Sequence, residues 1–358
     1  MAPPREIELE FSPERRLDII DVNARIREEA ADFLSLYNRA LYCSHHTTAG
    51  FLEESLCNRM DGCEDTVQNF FELFQELFPP DADYRHDQMH LRRELSPEQR
   101  RTEPRNADSH LTFIGAGVEN CVTYASSPHR PVYFIDLDGI NREHNNEPRR
   151  RRATVIGFNE ERPIHEVELT VPVSNHKIDS ISLRDPRLGL LDQLHELLAV
   201  HGITKGRIDL ELPSDERHAG LTVNEYETLL MQHDLVEVLH NPVRFMAQKG
   251  RNMLREPSAI PDKAKNYAKY DLVRIVNAFL DTLGLSESLL ERVINKFLAV
   301  PAEHFLRMKR SASLLVTEDE ANGQGTIVQG RYQSPILVQW RHAQHQQRRL
   351  NVKLVRFE

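Results

Sequence analysis

Three histidines in separate segments of the sequence could hold a metal ion. His46 closes a predicted strand in HTTAG, and His86 and His110 each have a carboxylate within two residues. Three neutral imidazoles with an open coordination position suit a zinc site whose rings are oriented by carboxylates. The spacing alone leaves other interpretations open: structural or surface histidines, and a rival pair formed by His86 and His90.

Two carboxylates and an arginine form a second candidate group. The segment PVYFIDLDG predicts a strand whose period of two places Asp136 and Asp138 on one face with Phe134, and Arg142 follows shortly after. Carboxylates on an apolar strand face need a cation or a donor. The pattern fits equally a solvated strand end and a cluster that binds an anionic, phosphorylated substrate.

The composition is that of a globular protein, with 40% hydrophobic and 28% charged residues. The first 163 residues carry 20 Lys and Arg against 30 Asp and Glu, whereas the remainder is balanced. No lysine precedes Lys177, which excludes a Schiff-base or phosphate-loop lysine in that part. The acidic balance argues against a nucleic-acid partner, and no apolar run is long enough to predict a membrane helix.

The cysteines and the N-terminus predict a cytoplasmic protein. The four cysteines form no CxxC pair, which favours reduced thiols. The first residues, MAPPREIELEF, lack the basic start and apolar core of a signal peptide.

The length of 358 residues allows two or three domains. The charge balance changes at the polar segment NEERP, so we predict domains at 1–163 and 164–358. No internal sequence repeat is apparent. The second half lacks HExxH, a glycine-rich phosphate loop and a nucleophile elbow, which predicts a regulatory, partner-binding or assembly role for it.

Both halves mix helices and strands, which predicts the α+β fold class. Hydrophobic periodicity in the first half predicts helices at 23–37 and 64–78 and strands at 7–11, 40–46, 111–114, 131–137 and 153–158. In the second half it predicts strands at 165–172 and 207–212, a helix from Thr222 with a capping box at Glu225, helices at 272–283 and up to Val300, a hairpin around 322–325 and a strand around 350–354. The basic stretch 341–356 partly alternates with apolar residues, so we interpret it as a solvated strand face.

The ordered motifs HTTAG, YRHD, NADSHL and DLDG resemble the YjbQ-like family, which is named for secondary thiamine-phosphate synthase activity. The resemblance covers residues 7–158, and the second half shows none. It implies a domain of two packed sheets with helices, a homotrimer, and a divalent metal, most simply zinc, held by His46, His86 and His110.

The same resemblance assigns roles to four further residues. Glu54 and Asp138 would act as catalytic base or support the metal ligands, and Asp136 and Arg142 would bind substrate. The sequence departs from the family pattern at Glu53, where asparagine is usual, and at Thr112, where lysine is common.

Two functions of different classes follow from these observations. The first is a metal-dependent enzyme acting on a phosphorylated small molecule, either a transferase that resembles secondary thiamine-phosphate synthase or a hydrolase. The second is a trimeric metal-binding scaffold or sensor without catalysis, in which the second half carries the function.

Overall fold

The computed structural model describes residues 2–80, 84–92, 95–142, 145–176, 179–225 and 309–358. It contains both helices and strands, so the predicted α+β class is confirmed. Within these ranges no helix is both long and apolar enough to cross a membrane. The helices predicted at 272–283 and before Val300 lie outside the described residues.

The described residues of the first half form nine strands. Their bounds are β1 Arg5–Phe11, β2 Asp18–Asp21, β3 Arg39–Ser44, β4 Ala49–Phe51, β5 Cys121–Ala125, β6 Tyr133–Asp136, β7 Ile140–Asn141, β8 Glu147–Pro148 and β9 Arg151–Phe158. They form a four-stranded sheet of order β1-β9-β3-β5, a three-stranded sheet of order β2-β6-β4 and the short pair β7-β8. All pairs are antiparallel.

Helices cover these sheets. Their bounds are α1 Val22–Glu29, α2 Phe33–Leu36, α3 Glu54–Arg59, α4 Glu64–Leu77, α5 Gln99–Thr102 and α6 Ala107–Ala116. The Asp21 side chain caps α1 by accepting hydrogen bonds from the backbone N–H groups of Asn23 and Ala24. Gly117 ends α6 in the left-handed conformation, with φ of 72°.

The predicted strand at 111–114 is wrong, because these residues lie in α6. All ten residues of α6 are buried. A helix that is buried on every side has no polar face, so its sequence lacks the helical period and shows only a short apolar run.

In the second half, residues 161–176, 179–225 and 309–358 form eight strands and one α-helix. Their bounds are β10 Glu161–Pro172, β11 Asp179–Ser182, α7 Leu190–His201, β12 Gly206–Glu211, β13 Ala219–Asn224, β14 Ser311–Glu318, β15 Gly325–Val328, β16 Ser334–Gln339 and β17 Gln347–Phe357. The strands form antiparallel sheets of order β10-β17-β12-β14-β15 and β11-β16-β13. The hairpin predicted around 322–325 is confirmed by β14 and β15. The predicted helix start at Thr222 is wrong, because Thr222 lies in β13 and pairs with Ile336. The continuation of that helix after Glu225 lies outside the described residues.

Each half has its own apolar core, and the two halves also pack on each other. A mixed cluster joins residues of β3, β5 and β9 to residues of β14 and β17. Within it the rings of Phe158 and Phe357 stack with centroids 3.9 Å apart. Two residues of β16, Ile336 and Val338, belong to the core of the first half. The two halves therefore share buried surface.

Candidate metal centre

His86 and His110 lie side by side in the buried interior. His110 is on α6, and His86 lies in the segment that precedes this helix. Both residues are fully buried, and their ring centroids are 5.2 Å apart. The structure thus brings together two of the three histidines singled out in the sequence.

Glu225 is the third member of this group, and it directly follows β13 in the second half. The potential ligand atoms of His86, His110 and Glu225 all lie within 4.8 Å of one another. His110 Nε2 lies 3.3 Å from Glu225 Oε2, yet it has no hydrogen-bond partner within the described ranges. A buried ring nitrogen left in this way is costly, so the arrangement favours a further group between the two side chains.

The second ring nitrogen of each histidine is held by an acceptor. His86 Nδ1 lies 3.0 Å from Asp87 Oδ1, which also accepts a 3.1 Å hydrogen bond from the backbone N–H of Ala107. His110 Nδ1 lies 2.7 Å from Asn224 Oδ1. Because both partners are acceptors, the proton belongs on Nδ1 and the lone pair on Nε2 of each ring. This is the support that metal-binding histidines receive in proteins.

A buried arginine balances the charge of Glu225. Arg92 lies 3.3 Å from Glu225 Oε1 and 3.5 Å from Glu103 Oε1. Burial opposes ionisation of Glu225, but the contact with His110 and the electrostatic influence of His110, His86 and Arg92 outweigh it and lower the pKa to about 2. Burial also opposes protonation of His110, but Glu225 and Asn224 outweigh it and raise the pKa of that imidazole. Glu225 is therefore an anionic donor at neutral pH.

Two imidazoles and one carboxylate are a donor set found at catalytic zinc sites, where the remaining position is left for water or substrate. The lone pairs at Nε2 and the unbonded His110 nitrogen agree with this chemistry. His86, His110 and Glu225 therefore fit a divalent metal.

The structure does not bring His46 into this group. Its Nε2 accepts a 2.8 Å hydrogen bond from the backbone N–H of Arg152. Burial and then Arg151, with weaker contributions from its other neighbours, lower the pKa of His46 to about 2, so its ring is neutral. His46 borders a cavity of about 570 Å³ that Glu225 also borders. As a metal ligand, His46 stays a prediction.

Side chains of both charges line the same cavity, and the carboxylates are those of Glu103, Glu147 and Glu225. The consecutive residues Arg149, Arg150 and Arg151 border it together with Thr47 and Thr48. Arg142, the arginine predicted to bind substrate, is exposed in the turn between β7 and β8 and does not border this cavity. The arginines that face the cavity therefore come from the run that follows Arg142.

The two strand carboxylates are buried and bonded. Asp136 accepts hydrogen bonds from Arg151 Nε at 2.6 Å and from Arg151 Nη2 at 2.9 Å. Burial raises the pKa of Asp136, although Arg151 opposes the shift. Asp138 accepts a 2.7 Å hydrogen bond from Asn106 Nδ2 and is paired with Arg149. Both carboxylates thus position arginines of the cavity wall.

Glu54, predicted as a catalytic residue, lies at the start of α3. Its Oε1 lies 2.6 Å from Arg130 Nη1, and it does not border the cavity. Its catalytic role stays a prediction.

The sequence interpretation missed the contribution of Asn224 and Glu225, which it assigned to the start of a helix. The available signal was an amide and a carboxylate at the end of the apolar run AGLTV. The same placement, polar residues directly after a strand, had singled out HTTAG.

No family model matches the chain, and no curated protein matches it. Solved structures do show similarity. A YbjQ-like protein of unknown function from Sulfolobus solfataricus P2 is 15% identical, with a TM-score of 0.28, over 55% of this chain and 99% of its own. An uncharacterized conserved protein of the YjbQ family from Clostridium acetobutylicum is 14% identical, with a TM-score of 0.26, over 52% of this chain and 98% of its own. A hypothetical protein from Aeropyrum pernix K1 is 17% identical, with a TM-score of 0.26, over 53% and 98% of the two chains. At such TM-scores these similarities say neither what this chain binds nor what it catalyses.

Proposed function

We propose that the chain is a metal-dependent enzyme that acts on a phosphorylated small molecule. The observation that carries this proposal is the position of Glu225, which belongs both to the group with His86 and His110 and to the wall of the arginine-lined cavity. A metal site and an anion-binding surface then meet at one place.

The chemistry supplied by a bound zinc ion would be polarisation of a phosphoryl oxygen or activation of water. His86, His110 and Glu225 would hold the ion. Asp87 and Asn224 would fix the orientation of the two imidazoles, so that their lone pairs converge without reorganisation.

The cavity wall would bind the phosphate groups. Arg149 and Arg151 are held in place by Asp138 and Asp136, and Arg150 adds an exposed guanidinium. Guanidinium groups offer paired donors that match phosphate oxygens. Because His46 Nε2 accepts a hydrogen bond, its Nδ1 carries the proton of the neutral ring and can donate to a substrate oxygen.

The resemblance to the YjbQ-like family adds a first reaction to test. It is the joining of a pyrimidine diphosphate to a thiazole phosphate with loss of pyrophosphate. Hydrolysis of a phosphorylated substrate at the same site is the second reaction to include.

The test compares metal content and turnover in the full chain. We expect zinc in the purified protein, turnover of at least one phosphorylated substrate in a panel, and loss of both in His110→Ala. His129→Ala is the matched control, because His129 is exposed and outside the site. Zinc-free protein that fails to take up zinc would contradict the proposal, and zinc uptake without any turnover would favour the scaffold instead.

The homotrimer implied by the resemblance is likewise a proposal. Light scattering of the intact chain decides it: we expect a mass of three chains, and a strict monomer would contradict the trimer.

A further inference from the structure

We propose that the second half of the chain is a diverged copy of the fold of the first half, which has lost the cavity-wall residues of its own site and now completes the site of the first. We call residues 5–158 the first repeat and residues 161–357 the second repeat. The inference builds on the proposed function through Glu225, but its main support is the strand pairing.

The two repeats have the same sheet topology. The first contains sheets β1-β9-β3-β5 and β2-β6-β4, and the second contains β10-β17-β12-β14 and β11-β16-β13. Taken in chain order, the strands β1, β2, β3, β4, β5, β6 and β9 match β10, β11, β12, β13, β14, β16 and β17. With this matching, the strand orders of the two repeats are identical. In each repeat a helix, α1 or α7, lies between the second and third of these strands. The pair β7-β8 and the edge strand β15 are additions to the shared plan.

The pairing register also agrees residue by residue. Ala49 pairs with Asp136, and Ala219 pairs with Gln339. An isolated bridge follows two residues later in each repeat, from Phe51 to Glu119 and from Leu221 to Lys309. Applied to all strands, this register equates Asp18 with Asp179, Asp136 with Gln339, Arg151 with Arg348, and Arg152 with Arg349.

A side-chain contact outside the sheet ladders is repeated as well. Arg151 Nη2 donates a 2.6 Å hydrogen bond to the Asp138 carbonyl oxygen. The equivalent Arg348 Nη2 donates a 2.7 Å hydrogen bond to the Arg341 carbonyl oxygen. A shared sheet order does not require such bonds, so their recurrence points to a common origin of the two repeats.

Cavity-wall residues of the first site are replaced in the part of the second repeat that the structure describes. His46 is equivalent to Glu216: Arg152 N–H donates to His46 Nε2 at 2.8 Å, and Arg349 N–H donates to Glu216 Oε1 at 2.9 Å. Glu216 Oε2 also lies 3.0 Å from Arg348 Nη1.

The strand carboxylates are lost in the same way. Asp136 is replaced by Gln339, and Asp138, two residues on, is replaced by Arg341. An imidazole has become a carboxylate, and two carboxylates have become an amide and a guanidinium. The described residues of the second repeat therefore cannot rebuild the cavity wall of the first.

What the second repeat retains is support for the first. Asn224 and Glu225 contact His110, as described above. On the other side of the cavity, Gln333 Nε2 donates to the carbonyl oxygens of Ser44 at 2.9 Å and His46 at 2.8 Å. Gln333 is buried, and its Oε1 accepts a 2.7 Å hydrogen bond from the backbone N–H of Gly330.

At this position the contact between the repeats is made in one direction. The residue equivalent to Gln333 is Arg130, because Arg130 stands six residues before Asp136 and Gln333 stands six residues before the equivalent Gln339. Arg130 instead bonds to Glu54 and Asn58 in its own repeat. Gln333 is thus a positioning residue of the first site that is supplied by the second repeat.

The first arm of the test needs no metal. In Gln333→Leu full-length protein, hydrogen exchange of the backbone amides at 44–50 should become at least tenfold faster. In Arg130→Leu, exchange at the equivalent segment 214–220 should be unchanged. Unchanged exchange at 44–50 would overturn the inference. If Gln333→Leu fails to fold, Gln333→Asn, which is one methylene shorter, replaces it.

The second arm titrates zinc into metal-free protein. We expect one zinc per chain, with affinity reduced about 10- to 100-fold in Asn224→Ala and unchanged in Glu216→Gln. Two zinc ions per chain, or equal losses in both variants, would overturn the inference. If the wild type binds no zinc but the first arm succeeds, the proposed function fails and the repeat architecture stands.

Discussion

Replacing Asp136 with asparagine tests whether this carboxylate anchors the fold, rather than contacting substrate as the resemblance implies. Asp136 has no exposed surface, and Arg151 is only 5% exposed. Asparagine preserves the shape but removes the charge that neutralises the buried guanidinium. Breaking a buried ion pair from one side costs about 3–5 kcal/mol. We expect Asp136→Asn to lower the free energy of unfolding by about 3 kcal/mol, at the low end of this range, because Arg151 keeps its hydrogen bond to the Asp138 carbonyl oxygen.

The assay is urea denaturation of the full chain, followed by far-ultraviolet circular dichroism. Asp32→Asn is the matched control, because Asp32 is exposed and its side chain makes no capping hydrogen bond to α2. Its cost should stay within about 0.5 kcal/mol. A cost below about 1 kcal/mol for Asp136→Asn would refute the reasoning. Loss of phosphate binding at unchanged stability would return Asp136 to the substrate-binding residues.

Three further perturbations test the surroundings of the cavity. The folded-state pKa of His46 is about 2, below its ordinary value of 6.5, so protonation favours the unfolded chain. The free energy of unfolding should therefore fall by up to about 2 kcal/mol between pH 6.5 and 5. The urea midpoint of His46→Gln should depend less on pH than that of the wild type. Gly330→Ala should cost about 1–3 kcal/mol in urea denaturation, because its Cβ would collide with the His45 carbonyl oxygen. Arg150→Lys should weaken pyrophosphate binding about tenfold in calorimetry, whereas Arg142→Lys should leave it unchanged. A larger loss of affinity in Arg142→Lys than in Arg150→Lys would place the anion outside the cavity.

Much of the fold could be predicted from local patterns. The strands expected at 7–11, 153–158 and 165–172 match β1, β9 and β10, and the helix expected at 64–78 matches α4. These elements have one apolar and one polar face, or a clear stop such as Pro79, so their period is visible in the sequence. The helix expected at 23–37 is divided into α1 and α2 around residues 30–32.

The candidate site could be predicted only in part. His86 and His110 come together as expected. His86 stands next to Asp87, which supports it, whereas Asn224, which supports His110, lies in the other half of the chain. Glu225 lies 115 residues beyond His110, in the other half of the chain, and only the pairing of β13 with β16 carries it there. No local period encodes such a contact. The repeat escaped notice for a similar reason, because strand order and register persist where residue identity does not.

The short connection between the repeats has a consequence for how the shared site is held together. β9 ends at Phe158 and β10 begins at Glu161, so only two residues separate them. A tether this short keeps the two surfaces at an effective concentration on the order of millimolar or above. The two surfaces need no strong affinity for each other, and a few hydrogen bonds such as those of Gln333 suffice to hold them together. Dilution would separate the parts of a site shared between independent chains, whereas the contacts between these two repeats persist at any protein concentration.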